Sequence, residues 1–101
     1  MNKIITSGKR KTAVARAVTI EGTGKITINN KPYETLKFLD KLKIEEPLRI
    51  AKNILGNFKF DVSVKAKGGG ENGQIEASRL ALARAIVAFT KNKDVEKAFL
   101  D

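Results

Sequence analysis

The glycine-rich segment Gly68–Gly73 has a spacing that could bind a phosphate group. The pattern Gly68-x-Gly70-x-x-Gly73 matches the dinucleotide-binding fingerprint, and it lies between a strand pattern and a helix pattern, as that motif requires. The motif also needs a further parallel strand ending in an acid that holds the ribose, and only 11 residues follow Thr90. We therefore reject a dinucleotide site.

Two interpretations of this glycine loop stay open. The plainer one is a loop whose backbone needs unusual dihedral angles. The other is a set of unhindered amides at a helix N-terminus, which bind one phosphate well. Lys67, directly before the loop, favours phosphate binding, and Glu71 within it opposes it.

The basic run Lys9–Lys11 follows Gly8 and is the second candidate for phosphate binding. A Walker loop needs Ser or Thr directly after the lysine, where Arg10 stands, and an earlier glycine, where Lys3 stands. The run is therefore no nucleotide clamp. Three cations entering a strand are typical of a solvated strand end, but they also suit contact along one phosphate backbone.

Three arginines are further candidates. Arg16 shares its strand parity with Val14 and Val18, so it either reaches the edge of the core or leaves the sheet toward a partner. Arg79 and Arg84 lie among alanines on a helix pattern, where they are either ordinary surface charges or bidentate phosphate ligands.

The chain contains no Cys and no His, which excludes thiolate chemistry, an imidazole base and the usual metal ligands. Its acids are scattered, so composition leaves open only a carboxylate-only or lysine-based enzyme, and we predict no cofactor and no metal. The longest wholly apolar run, Ala85–Phe89, is far shorter than the ~20 residues that span a bilayer. No signal-peptide core follows Met1 either, so we expect a cytoplasmic protein without a membrane partner.

The charge is strongly positive and unevenly spread. The 101 residues carry a net charge of +9, with 20 basic and 11 acidic side chains. Residues 1–16 contribute five of these positive charges and no acid. Such a cluster is typical of a protein that binds a polyanion, although basic termini also serve solubility alone. The length favours a single domain, residues 1–101, with a basic segment at 1–11.

Alternating residues predict three strands in the first third of the chain. Thr12–Ile20 alternates large and small side chains, and Lys25–Ile28 resumes the alternation after a turn at Gly22–Gly24. These two strands are expected to form a hairpin. A second tight turn at Asn29-Asn30 precedes a short strand at Lys31–Tyr33.

The remaining two thirds predict helices and one strand. An irregular helical stretch covers Leu36–Ile44, and a separate helix of about ten residues has Pro47 in its first turn, Glu45 and Glu46 at its positive end and Gly56 at its end. A strand follows with core side chains from Phe58 to Ala66, then a helix over Gln74–Thr90 and a short helix over Asn92–Asp101. The order predicts a two-layer α+β fold with helices on one face of a mixed sheet, and Tyr33 as the one candidate for an exposed aromatic.

Three blocks of this sequence together resemble the universal small-subunit ribosomal protein nine family. They are Ser7–Arg16, the segment from Gly22 to Asn29, and the glycine loop with Gln74, Ala77, Arg84 and Ala85. The resemblance covers the whole chain. Lys43–Leu48 and Asp94–Asp101 resemble archaeal rather than bacterial members.

The resemblance implies the fold of the second domain of small-subunit ribosomal protein five, with its left-handed crossover. It also implies a structural, non-catalytic role in the small subunit, binding rRNA of the head (the 3′ major domain) among other head proteins. The family normally continues with a basic extension that approaches P-site tRNA; this chain ends at Asp101, where that extension would begin, so we assign no tRNA contact. The RNA-binding candidates are the cations and loop glycines Lys9, Arg10, Lys11, Arg16, Lys67, Gly68, Gly69, Gly70, Arg79 and Arg84.

Two other functions compete with this one. A phosphate-handling enzyme could use the same kind of glycine-rich loop at a helix start, although the chain is small and lacks a plausible base. A free RNA-binding factor outside the ribosome differs from a ribosomal protein only in where it is found.

Overall fold

The computed structural model describes residues 3–56, 59–91, 93–94 and 97, and within these residues five strands and two long helices form the fold. The strands are β1 (Ile4–Arg10), β2 (Ala13–Glu21), β3 (Ile26–Ile28), β4 (Lys31–Pro32) and β5 (Phe60–Lys67). The helices are α1 (Phe38–Leu55) and α2 (Gly70–Thr90), and a 3₁₀ turn at Tyr33–Thr35 precedes α1.

The strands form one mixed sheet in the order β1-β2-β5-β3-β4. The pairs β1–β2, β2–β5 and β3–β4 are antiparallel, and β3–β5 is parallel. Parallel strands need a long crossover connection, and here the chain passes through β4 and α1 between β3 and β5. The predicted α+β fold with a mixed sheet is confirmed.

The predicted hairpin between the second and third strands is wrong, because β5 lies between β2 and β3. The two tight hairpins are instead β1–β2, turning at Lys11-Thr12, and β3–β4, turning at Asn29-Asn30. Both asparagines have positive φ, 51° and 68°, as a two-residue hairpin turn requires. The sequence patterns did not predict β1, which contains part of the basic run.

The segment Gly22–Lys25 is held by a side chain of β5 rather than closing a hairpin. The backbone amides of Thr23, Gly24 and Lys25 donate to Asp61 Oδ1 at 3.0, 3.0 and 2.8 Å. A Cβ at Gly22 would overlap the Asp61 carboxylate, so a side chain here would displace that carboxylate from the three amides. One carboxylate therefore directs the chain past β5 and into β3.

The core lies on the face of the sheet to which the small side chains of β2 point. Ala13, Ala15 and Ala17 are fully buried, whereas Val14 on the opposite side is 40% exposed. The same face of β5 buries Phe60, Val62 and Val64. The other face of the sheet stays open, as the alternation in β5 predicts.

Helix α1 is one helix of 18 residues that runs through Pro47, so the predicted break before Pro47 is wrong. Proline removes one hydrogen bond to the carbonyl four residues earlier and costs ~3 kcal/mol in a helix interior. Ile44, Leu48 and Ala51 are buried on one stripe that spans the proline, and Pro47 is itself buried. Burial of this continuous apolar stripe offsets the lost hydrogen bond.

Helix α2 begins at Gly70, four residues before the predicted start at Gln74, so the last four of the six residues in the glycine segment are helical. At its other end, the rings of Phe60 and Phe89 lie with their centroids 5.0 Å apart. The predicted first residue of β5, Phe58, lies outside the described residues. So does most of the predicted helix over Asn92–Asp101, of which Lys93, Asp94 and Lys97 are described and helical.

Candidate nucleic-acid interface

The glycine loop packs directly against the turn between β1 and β2. Gly68 and Gly69 have φ of 78° and 64°, values that side chains rarely adopt. A Cβ at Gly68 would lie 2.7 Å from the carbonyl oxygen of Thr12, and one at Gly69 would lie 2.8 Å from the backbone nitrogen of Ala13. The interpretation as a loop of unusual dihedral angles is confirmed, and the N-terminus of α2 lies beside the β1–β2 turn.

This packing gathers most of the sequence-predicted candidates. Lys9 and Arg10 end β1, Lys11 forms the turn with φ of 56°, and Lys67 ends β5 directly before the loop. All four side chains are exposed. We call these four cations, together with Gly68–Gly70, the basic end.

Arg16 is exposed on the open face of the sheet, which decides between the two placements left open by the sequence. In the strand register it lies directly opposite Ser7 of β1 and Lys65 of β5. Lys65 was not among the sequence-predicted candidates, although its parity in β5, shared with Lys67, marks it as open-face.

Arg79 and Arg84 lie away from the basic end, along α2. Arg79 Nη2 lies 3.4 Å from Glu46 Oε1, so this arginine links α2 to α1. Arg84 is 14 residues past Gly70, or roughly 21 Å along the helix axis. Its Nη1 donates to the Ser7 carbonyl oxygen at 2.9 Å, which ties the edge strand β1 to α2.

Four ion pairs between described residues lie on the helix side of the molecule. Each involves α1 or Lys37 just before it; they are Lys37–Glu71 (3.3 Å), Lys41–Glu45 (3.9 Å), Lys43–Glu76 (3.3 Å) and Arg79–Glu46 (3.4 Å). Glu45 and Glu46 therefore pair within the helix layer rather than marking a helix start. None of these four pairs includes a residue of the basic end, Arg16 or Lys65.

The exposed aromatic differs from the prediction. Phe38, at the start of α1, is 72% exposed, whereas Tyr33 is half-buried. Burial raises the pKa of Tyr33 above its ordinary value, with smaller contributions from the charges of Glu34 and Glu45. The buried face of α1 is formed by residues further along the helix. Phe38, at its first position, therefore stays exposed although its side chain is apolar.

Within the described part of the chain, no group of three or more His, Cys, Asp or Glu residues could hold a metal ion. No described helix is long and apolar enough to cross a bilayer. The fold and the charge distribution thus define a small, basic α+β protein with an open sheet face.

Comparison with known proteins identifies the family to which this small, basic α+β protein belongs. The model of a family described as ribosomal protein S9/S16 matches residues 8–100. Small ribosomal subunit protein uS9 of Methanococcus vannielii is 46% identical over 102 residues, covering 99% of this chain and 74% of the relative. The protein of the same name from Thermoplasma volcanium is 48% identical over 100 residues, covering 98% of this chain and 74% of the relative.

This chain therefore belongs to the ribosomal protein S9 family. It is a structural, non-enzymatic constituent of the small ribosomal subunit, in the cytoplasmic ribosome, and the family resemblance, including its archaeal character, is confirmed. The rival interpretation as a phosphate-handling enzyme is thereby set aside.

Proposed function

We propose that this protein binds rRNA of the small subunit, in the head (the 3′ major domain), and that the basic end makes the principal contact. The observation that carries the proposal is the separation of charge. Four acids of the helix side, Glu45, Glu46, Glu71 and Glu76, take part in ion pairs, whereas the basic end holds four exposed cations that belong to none of these pairs.

Unpaired cations at a phosphate backbone gain affinity by releasing condensed counterions. The start of α2 adds to this, because no side chain caps its first turn and Gly70 faces open space. Its backbone amides are thus available to a phosphate oxygen at the positive end of the helix dipole. These groups contact phosphates rather than base edges, so binding should depend on RNA shape more than on sequence.

Arg16 extends the basic end onto the open sheet face and belongs to the same proposed surface. RNA contact by Arg79 and Arg84 stays a prediction, since each already has a partner within the protein. Contacts with neighbouring head proteins are likewise expected from the family resemblance alone.

The test compares two triple variants of equal charge. One replaces Lys9, Arg10 and Lys11 by Gln; the control replaces Lys31, Arg49 and Lys52, which are exposed cations elsewhere on the molecule. Binding to a 3′ major domain rRNA fragment is measured from 50 to 400 mM KCl. We expect the first variant to flatten the slope of log K against log salt by roughly 2–3, because each phosphate contact contributes ~0.7–0.9 to the slope.

The control variant should retain most of the slope. Equal losses in both variants would mean that net charge alone drives binding, and an unchanged slope in the first would make the N-terminal cluster a solubility device. A 5′ domain fragment of the same rRNA, bound as tightly as the 3′ major domain, would contradict the proposed head location.

A further inference from the structure

Helix α1 carries a second stripe of side chains that the core does not use. Leu39, Leu42, Glu46 and Arg49 recur at spacings of three and four residues, the repeat that lines one face of a helix. All four are exposed, and we call them the outer stripe. The buried residues of α1 form a different stripe; they are Ile44, Pro47, Leu48 and Ala51.

The first half of the outer stripe is apolar and open to solvent. Leu39 is 69% exposed and Leu42 is 36% exposed, and the adjoining Phe38 is 72% exposed. Together these three side chains present an apolar patch on the order of a few hundred Å², a size that often marks a binding site on a soluble protein. Phe38 and Leu39 bury little of their surface within this chain, so the fold gains little from them.

A groove of about 540 Å³ runs beside the two leucines, with Asn72 of α2 forming part of its wall. Its charged lining is two acids and two cations, which are Asp40, Glu46, Lys43 and Arg49. The groove is therefore neutral in a chain of net charge +9. A neutral groove offers an RNA backbone no release of counterions, whereas an apolar centre with a polar rim is the anatomy of a protein–protein contact.

Two of these four charges are paired within the protein. Lys43 Nζ lies 3.3 Å from Glu76 Oε1, and Glu46 Oε1 lies 3.4 Å from Arg79 Nη2. Arg49 belongs to none of the four ion pairs, and it lies seven residues beyond Leu42, or roughly 10 Å along the helix axis. An occupant that complements this surface has apolar side chains at one end and an acid two helical turns further along.

A second copy of this chain does not provide that complement. Two α1 helices packed in parallel would place Glu46 beside Glu46 and Arg49 beside Arg49, and two packed antiparallel would set Leu42 against Arg49. The patch is also smaller than the ~800 Å² that each partner contributes to a standard stable interface. The surface therefore fits a different protein that is held close by the same particle.

We propose that the outer stripe, with Phe38 and the groove beside it, is the docking surface for an amphipathic helix of a neighbouring protein in the small subunit. That helix packs apolar side chains, three or four residues apart, against Phe38, Leu39 and Leu42, and its acid pairs with Arg49. The contact is small, so it forms when both proteins are held on one particle at high effective concentration. This inference goes beyond the proposed function, because the surface shares no residue with the basic end and its partner is a protein.

Site-directed cross-linking tests the occupant. The chain contains no Cys, so one introduced thiol carries a photoreactive benzophenone at a unique position. Leu39→Cys places it on the outer stripe, and the control Ile54→Cys places it roughly 22 Å further along the same helix, at a side chain that is 37% exposed. Both labelled proteins are reconstituted into small subunits and irradiated.

We expect Leu39→Cys to give a cross-link that resists RNase, in several-fold higher yield than Ile54→Cys. Mass spectrometry should map it to one segment of another protein, with apolar residues at helical spacing and an acid two turns along. Cross-linking to RNA, a product of twice this chain's mass, a segment without that pattern, or a yield no higher than the control would each overturn the proposal.

Competition with the parent protein for incorporation into reconstituted subunits measures what the contact contributes. The double variant Phe38→Asn/Leu39→Asn and the single variant Arg49→Glu should each be under-represented roughly 5- to 10-fold, and the control Ile54→Asn less than about 2-fold. Replacing the acid of the cross-linked segment by Arg should restore incorporation of Arg49→Glu. Parent-like incorporation of both outer-stripe variants would overturn the docking surface.

Two readouts keep this inference separate from folding and from the proposed function. The outer-stripe variants should match the parent protein in melting temperature and in affinity for the 3′ major domain fragment, because the substituted side chains are exposed and lie outside the basic end. A matching loss of melting temperature would assign the stripe to the fold instead. Failure of the parent protein to bind the rRNA fragment would overturn the proposed function and leave the docking surface standing, since the latter depends only on membership of the small subunit.

Discussion

Thr19 and Ser78 each bury a hydroxyl that has no hydrogen-bond partner among the described residues. Both residues are fully buried in the core between the sheet and α2. A buried hydroxyl without a partner costs free energy, because it has lost its hydrogen bonds to water and gained none. Thr6 shows the opposite case, since its Oγ1 donates to the carbonyl oxygen of Ala81 at 3.0 Å.

We predict that Thr19→Val raises the free energy of unfolding by roughly 1 kcal/mol, because valine keeps the shape and removes the unsatisfied hydroxyl. The matched change Thr6→Val should lower it by about 1 kcal/mol through loss of the hydrogen bond to Ala81. Urea denaturation of both variants provides the measurement. Destabilisation by Thr19→Val would show that its hydroxyl has a partner after all.

A second residue-scale prediction concerns Asp61 and acid. The backbone amide of Lys25, more than those of Gly24 and Thr23, holds the pKa of this carboxyl below its ordinary 3.8, against an opposing effect of partial burial. The lowered pKa means that folding favours the carboxylate. The resulting stabilisation is present above the unfolded pKa and is lost as pH falls from about 4 through the lower folded pKa.

Asp61→Asn should therefore be less stable than the parent protein at pH 7, and the difference should shrink below pH 4. Thermal melts at pH 7, 5, 4 and 3 test this. A stability difference that stays constant across this pH range would show that the three hydrogen bonds to this side chain do not depend on its negative charge.

At the scale of elements, the contact between β1 and α2 depends on Gly8. A Cβ at this position would lie 2.5 Å from the Ala77 carbonyl oxygen and 2.7 Å from the Ala81 nitrogen. Both atoms belong to the helix backbone, which has no alternative rotamer. Two hydrogen bonds beside this contact join the same two elements, from Thr6 to the Ala81 carbonyl and from Arg84 to the Ser7 carbonyl.

Gly8→Ala should consequently lower the free energy of unfolding by ~3 kcal/mol or more, through overpacking of the strand against the helix. Gly56→Ala is the control, since Gly56 has φ of 87° but open space around it and should lose only ~1 kcal/mol from backbone strain. Circular dichroism melts of the two variants measure the difference. Equal losses of stability in the two variants would mean that α2 can shift along β1 at little cost in free energy.

At the scale of the whole molecule, the separation of charge should govern stability in salt. The net charge is +9, and the described ion pairs lie on the helix side. Surface pairs of this kind contribute ~0–1 kcal/mol each. Repulsion within the basic end and across the open sheet face therefore outweighs them at low ionic strength.

We predict that raising NaCl from 20 to 300 mM raises the melting temperature by a few degrees, since the Debye length falls to roughly 6 Å and the repulsion weakens. The variant with Gln at positions 9, 10 and 11 should show a smaller rise. Differential scanning calorimetry in both salts provides the comparison. A fall in melting temperature with salt would mean that the ion pairs on the helix side dominate.

Much of this protein was determined by local sequence. The alternation in β2 and β5, the positive φ of Asn29 and Asn30, and the helix over most of α2 follow from side-chain size, parity and backbone freedom within short windows. Composition alone excludes most catalytic chemistry, because the chain is strongly basic and contains no Cys and no His. The family resemblance rested on the same short blocks.

Tertiary structure decided the features that depend on distant residues. Strand β1 was missed because its inward positions include Thr6 and Gly8, which suit a close helix rather than an apolar pattern. Helix α1 continues through Pro47 because burial outweighs local propensity. Arg16 and Lys65 are 49 positions apart in the chain, and only the register of β2 against β5 places them side by side. Pairing between strands is non-local, so parity alone shows which face a residue occupies but not which residue lies opposite.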